Sequence, residues 1–189
     1  RPRCVPIRSS TPLLRSGGTG VASKPSDLQD VSAFPGFDDL GRPGTFGTAG
    51  KVTVDFGPAD AFVEFGQKHK MFIIGHTLVW HNQVPPWFFT NAAGKPNTKE
   101  EQIERLRNHI KTVAGRYANK VHAWDVVNEV IDNDGSYRQT SWVNAFGNGD
   151  SLVKYAFKFA SEFAPNTELY YNDFNAWRPA KRDGIIRLV

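Results

Sequence analysis

Cysteine and methionine are nearly absent from this sequence of 189 residues, which holds one of each, Cys4 and Met71. A single cysteine excludes an internal disulfide and any metal site built from several thiolates, and it leaves the redox compartment open. No apolar run approaches the roughly 20 residues a membrane-spanning helix needs. No Gly-x-Gly-x-x-Gly follows a strand pattern and no His-Glu-x-x-His occurs, so neither a dinucleotide fold nor a zinc-binding helix is indicated. The sequence starts at Arg1 without a Met or a hydrophobic signal core. A basic arm is missing too. The 23 Lys and Arg exceed the 19 Asp and Glu by only +4, and the two signs interleave along the chain. We therefore expect no nucleic-acid partner.

What the sequence does have is aromatic residues, 13% of the total with five Trp, in a composition that is 40% hydrophobic and 22% charged. That suits a globular domain with ring faces left over for a ligand. The length allows one domain. Residues 1–50 stand apart. They are rich in Pro, Gly, Ser, Thr and Arg, as in Arg15-Ser16-Gly17-Gly18-Thr19-Gly20, and hold no lasting apolar period. They read as an irregular or disordered arm.

From residue 51 onward, periodicity appears. Pro58 to Lys68 carries Ala61, Phe62, Val63 and Phe65 at near-helical spacing, with Pro58 placed for a first turn. Met71 to Trp80 is a continuous apolar run, as in a strand buried on both faces. A loop follows from His81 to Asn97. Thr98 and Glu101 have capping-box spacing, and Ile103, Leu106, Ile110, Val113 and Tyr117 form one helical stripe. Val121 to Glu129 is a second buried strand. Asp150 is placed to cap a helix from Ser151 to Phe163, Thr167 to Asn172 is a third strand, and Lys181 to Val189 reads as a helix. Alternating strands and helices imply a parallel α/β sheet, either doubly wound or a (β/α)8 barrel.

Polar and aromatic residues gather at the carboxyl ends of the strands: His76, Trp80 and His81; Asn128 and Glu129; Tyr171 and Asn172. Parallel barrels keep their chemistry there. A carboxylate ending a buried strand is partly desolvated, which suits Glu129 to general acid work. Taken alone it could equally be a salt-bridge partner. By the strand period of 2, Asp125 and Glu129 share a face and Asn128 lies on the other. His76 and His81 are too far out of phase for a metal pair. With Trp80, Gln83 and Trp87 they better fit a sugar, which offers C–H faces to rings and hydroxyls to amides and imidazoles. Packing is an equal reading for Tyr171.

Gly75-His76-Thr77-Leu78-Val79-Trp80-His81-Asn82-Gln83, Trp124-Asp125-Val126-Val127-Asn128-Glu129 and Leu169-Tyr170-Tyr171-Asn172-Asp173-Phe174-Asn175 resemble the third-, fourth- and fifth-strand signatures of glycoside hydrolase family 10. These are mostly endo-β-1,4-xylanases. The resemblance runs from about Phe56 to the end of the sequence. It implies a (β/α)8 TIM barrel, incomplete in this chain, with about strands 3 to 5 and their flanking helices over residues 51–189. It implies retaining hydrolysis of xylan with Glu129 as general acid/base and no cofactor. It assigns substrate binding to His76, Trp80, His81, Gln83, Asn128, Tyr171 and Asn172.

The family's Glu-Asn-x-Met-Lys segment has no counterpart before Phe56, where Gly44 to Val54 reads GTFGTAGKVTV. Its nucleophile belongs to a seventh strand, beyond Val189. We therefore expect the chain alone to be inactive or nearly so. Its parent is expected to be a monomer, secreted or periplasmic, acting on xylan and on no membrane. A non-hydrolytic sugar-binding or structural remnant, or a retaining β-1,4-glucanase, remain as alternatives.

Overall fold

The computed structural model describes residues 13–15, 56–82, 84, 86–91 and 93–189. Among these residues four parallel strands form one sheet in sequential order: β1 (Leu13–Arg15), β2 (Phe72–Val79), β3 (Ala123–Asn128) and β4 (Glu168–Asn172). Each crossover advances the chain by one strand. A doubly wound sheet would reverse direction at a switch point, so the order is that of a barrel segment. Three strands were expected. The fourth, β1, lies inside the stretch read as irregular, with Leu14 opposite Ile73. Three residues are too few to show a period, and their backbone pairs one edge of β2. The remainder of residues 1–50 lies outside the described residues.

The helices that carry the crossovers pack on these strands. Helix α1 (Gly57–Lys68) lies against β2, α2 (Lys99–Arg116) against β2 and α4, and α4 (Gly149–Phe163) against β3 and β4. Thr98 closes the expected capping box, accepting from the Glu101 N–H at 3.2 Å while Glu101 Oε2 accepts from the Thr98 N–H at 2.7 Å. Helix α4 starts earlier than expected. Its cap is Asn148, whose side chain accepts from Ser151 N at 2.7 Å, while Asp150 sits in the first turn and accepts from the Tyr137 hydroxyl. A further short helix, α3 (Ser141–Phe146), has no counterpart in the sequence reading. Its six residues span less than two turns, too few for a periodic stripe, although it buries Trp142, Val143 and Phe146. The last helix, α5, spans Pro179–Leu188.

Trp124, Tyr117, Phe146, Ile73 and Leu106 are among the fully buried side chains of the core. Gly75 sits opposite Trp124 across the β2–β3 ladder. A Cβ at Gly75 would stand 2.3 Å from the indole ring, so only glycine lets the ring lie across β2. Among the described residues no helix is long and apolar enough to cross a membrane, and no three His, Cys, Asp or Glu side chains come together as a metal site.

Candidate active site

Because all four strands are parallel, the carboxyl ends of β2, β3 and β4 meet along one edge. Glu129 is the first residue past β3 and has φ +57, in the left-handed region. For a residue with a side chain that conformation costs about 1–2 kcal/mol. Its surroundings hold it there. The Glu129 N–H donates to Asn172 O at 2.9 Å, its carbonyl accepts from Arg138 Nε at 3.0 Å, and its Oε2 accepts from Trp80 Nε1 at 3.0 Å.

The expected alternation therefore breaks at the strand end. Asn128 does not face away from Glu129. Turned so that its oxygen accepts, its amide meets Trp80 Nε1 at 3.1 Å and donates to Asn172 O at 3.2 Å. The indole N–H thus lies between the Glu129 carboxylate and the Asn128 amide. Two features remove the period of 2 here: the left-handed turn at Glu129, and the register slips beside His76–Val79 and Asp125–Val127.

His76 lies on β2 opposite Asp125, and its Nδ1 is 2.8 Å from Asp125 Oδ2. Asp125 is only 3% exposed. A carboxylate accepts, so Nδ1 is the protonated ring nitrogen and the ring's orientation is set. The imidazole stands 6.0 Å from the Trp80 indole. Trp80 is anchored in turn, its carbonyl accepting from Trp142 Nε1 at 2.8 Å. His81 packs edge-on to Trp80 at 6.1 Å. Burial, reinforced by the positive charge of Arg138, lowers the His81 pKa, so its imidazole is neutral at neutral pH. Gln83 lies outside the described residues.

Tyr171 is tied to its own neighbourhood. Its hydroxyl accepts from the Ile131 N–H at 3.1 Å and donates to Asp173. Burial, with the Asp173 carboxylate second, pushes its phenol well above the ordinary value. Asp173 also stands 2.6 Å from Lys181 Nζ on α5, an ion pair with both side chains buried. The sheet edge thus brings together His76, Trp80, His81, Asn128, Glu129 and Asn172, while the Tyr171 hydroxyl is taken up by Ile131 and Asp173.

Sequence reasoning missed Asp125 as the partner of His76, Trp142 as the anchor of Trp80, and Arg138. The first is visible only once the register of β2 on β3 is known. Arg138 bonds a backbone oxygen, which no side-chain pattern reveals.

A half-exposed carboxylate beside indole, imidazole and amide groups can give a proton to a leaving oxygen and later take one from water. Retention also needs a second carboxyl about 5–5.5 Å away. Asp125, Asp132 and Asp173 are each otherwise engaged, with His76, with Arg138 at 3.7 Å, and with Lys181 and Tyr171.

Comparison with known proteins identifies the family. A family model described as glycosyl hydrolase family 10 matches residues 41–189. Endo-1,4-beta-xylanase A of Thermotoga neapolitana is 47% identical over 142 residues, 74% of this chain and 13% of that protein. Endo-1,4-beta-xylanase A of Xylanibacter ruminicola is 45% identical over 135 residues, 71% of this chain and 36% of that protein. The chain therefore spans well under half the length of either relative. The solved structure of a GH10 endoxylanase from a sugarcane soil metagenome superposes with a TM-score of 0.69 at 46% identity, covering 72% of this chain and 40% of that one. The strands are consecutive members of an incomplete (β/α)8 barrel, and the chain belongs to glycosyl hydrolase family 10.

Proposed function

We propose that this chain carries the acid/base half of an endo-β-1,4-xylanase site and that Glu129 is the general acid/base of a retaining double displacement on xylan. The observation that carries the reading is the placement of Glu129. Its carboxylate stands at the open end of β3, held by Trp80 Nε1 beside Asn128. The xylanase names of the relatives favour xylan over glucan. In the first step a carboxylate attacks the anomeric carbon while Glu129 protonates the departing oxygen. In the second, Glu129 takes a proton from the water that releases the glycosyl-enzyme. The attacking carboxylate is expected on a later barrel strand. With Asp125, Asp132 and Asp173 engaged elsewhere, the 189 residues alone should leave xylan unhydrolysed above background.

Asn128 is assigned to the sugar 2-hydroxyl, His76 and Trp80 to the non-reducing side of the cleaved bond, His81 and Gln83 to further sugar contacts and Asn172 to the leaving-group side, whereas the Tyr171 hydroxyl is taken up by Ile131 and Asp173. A polymer outside the cell fits a secreted or periplasmic monomer. The test is Glu129→Ala in a protein that includes the later strands. Hydrolysis of xylan should fall by about 10²–10⁴-fold, the usual contribution of a positioned acid/base. An aryl xylobioside with a good leaving group should still be cleaved to the glycosyl-enzyme, and azide should restore turnover as the β-glycosyl azide. Unchanged xylan hydrolysis, or an α-configured azide product, would refute the assignment.

A further inference from the structure

We propose that Arg138 is a positioning residue for the acid/base, acting through the backbone of Glu129 without touching the sugar. The inference rests on the reading of Glu129 as the acid.

Glu129 occupies a conformation that a side-chain-bearing residue leaves unless its surroundings hold it. Its own peptide groups are clamped from two sides. The N–H is held by β4, through Asn172 O at 2.9 Å, and the carbonyl is held by Arg138 Nε at 3.0 Å. Release of either clamp lets φ relax toward the extended region, which swings the Cα–Cβ bond and carries the carboxylate off Trp80 Nε1. The β4 clamp belongs to the sheet. The Arg138 clamp is a single side chain reaching back over nine positions.

That side chain is itself preset. The segment from Val130 to Arg138 closes on its own backbone, with Arg138 N donating to Val130 O at 2.8 Å and Ile131 bridged to Tyr137. The guanidinium lies 5.9 Å from the Phe174 ring centre, and its Nη1 is 3.7 Å from Asp132 Oδ1. Arg138 Nη2 is enclosed without a hydrogen-bond acceptor among the described residues. Among the described residues the shortest directional contact of the guanidinium is therefore the one to the Glu129 carbonyl, ahead of the looser ion pair with Asp132. A displaced acid matters only where a proton must be delivered, so loss of Arg138 should be felt through the leaving group and not through binding.

The experiment measures kcat/KM for xylobiosides with graded leaving groups, from dinitrophenol to unactivated phenols, in a protein that includes the later strands. Arg138→Met keeps the aliphatic stem and removes the donor. It should stay within about 3-fold of wild type on the dinitrophenyl substrate and fall about 10- to 100-fold on the poorest leaving group. Glu129→Ala, run alongside, should show the same selectivity more steeply. Equal losses on every substrate, or none, with Arg138→Met would overturn the proposal while Glu129→Ala still behaves as an acid variant. A flat response of Glu129→Ala would instead refute the acid assignment. If Arg138→Met does not fold, Arg138→Lys decides by the same criterion: a selective loss supports the proposal, and wild-type or uniform behaviour overturns it.

Discussion

Trp80 Nε1 donates to Glu129 Oε2 across 3.0 Å, from the end of β2 to the end of β3. The bond lies just beyond the last pair of the β2–β3 ladder, Val79 opposite Val127, so it ties two strand ends together as well as holding one carboxylate. The Trp142 indole donates to the Trp80 carbonyl at 2.8 Å and so anchors the backbone that carries the ring.

Trp80→Phe keeps most of the ring and removes the donor. A hydrogen bond to a charged group contributes about 1.5–3 kcal/mol. kcat/KM on xylan should therefore fall by about 10- to 100-fold in a protein that includes the later strands, and the melting temperature should fall with it. Steady-state kinetics beside a melting curve checks this. A Trp80→Phe variant with wild-type kcat/KM would show that the indole N–H does not hold the carboxylate.

Tyr171 poses a choice between sugar contact and structure, and its bonds favour structure. The hydroxyl serves Ile131, 2% exposed, and Asp173, whose side chain is also 2% exposed. Tyr171→Phe leaves a buried N–H and a buried carboxylate each one partner short, at a cost of about 1–3 kcal/mol. The urea midpoint should drop while KM for xylan stays within about 2-fold. The reverse pattern, a raised KM at unchanged stability, would return Tyr171 to the substrate.

Much of this fold is legible in the sequence because it follows from local rules. The apolar run Met71–Trp80, the stripe Ile103–Tyr117 and the Thr98–Glu101 box each state their own conformation, and all appear as read. The sequence is less informative where one element decides the state of another. Asp125 becomes the partner of His76 only through strand register. Asn128 and Glu129 share the Trp80 indole at a strand end where φ at Glu129 is positive and the registers slip, which no pattern of side chains announces. Gly75 looks like a flaw in a buried strand until Trp124 is placed against it. Asn148 and not Asp150 caps α4 because the helix begins at Gly149, which puts Asp150 inside its first turn.

His109 sets an acid limit on the fold. It lies on α2, edge-on to Phe88 at 5.9 Å, with its Nε2–H donating to Leu78 O at 2.9 Å on the strand that leads to Trp80. Burial pushes its pKa from 6.5 down to about 4, and the bond to Leu78 only partly offsets this. The folded state therefore resists a proton that the unfolded chain accepts below about pH 6.5. The unfolded chain binds more protons than the folded one across this window, so stability rises with pH from about 4 to 6.5 and is fully present above it. A shift of that size amounts to about 3 kcal/mol. His109→Gln can still donate to Leu78 O and does not titrate. Its urea midpoint should change less between pH 6.5 and 4 than that of the wild type, and the two curves should converge toward neutral pH. Parallel curves across the window would mean that His109 does not set the acid limit.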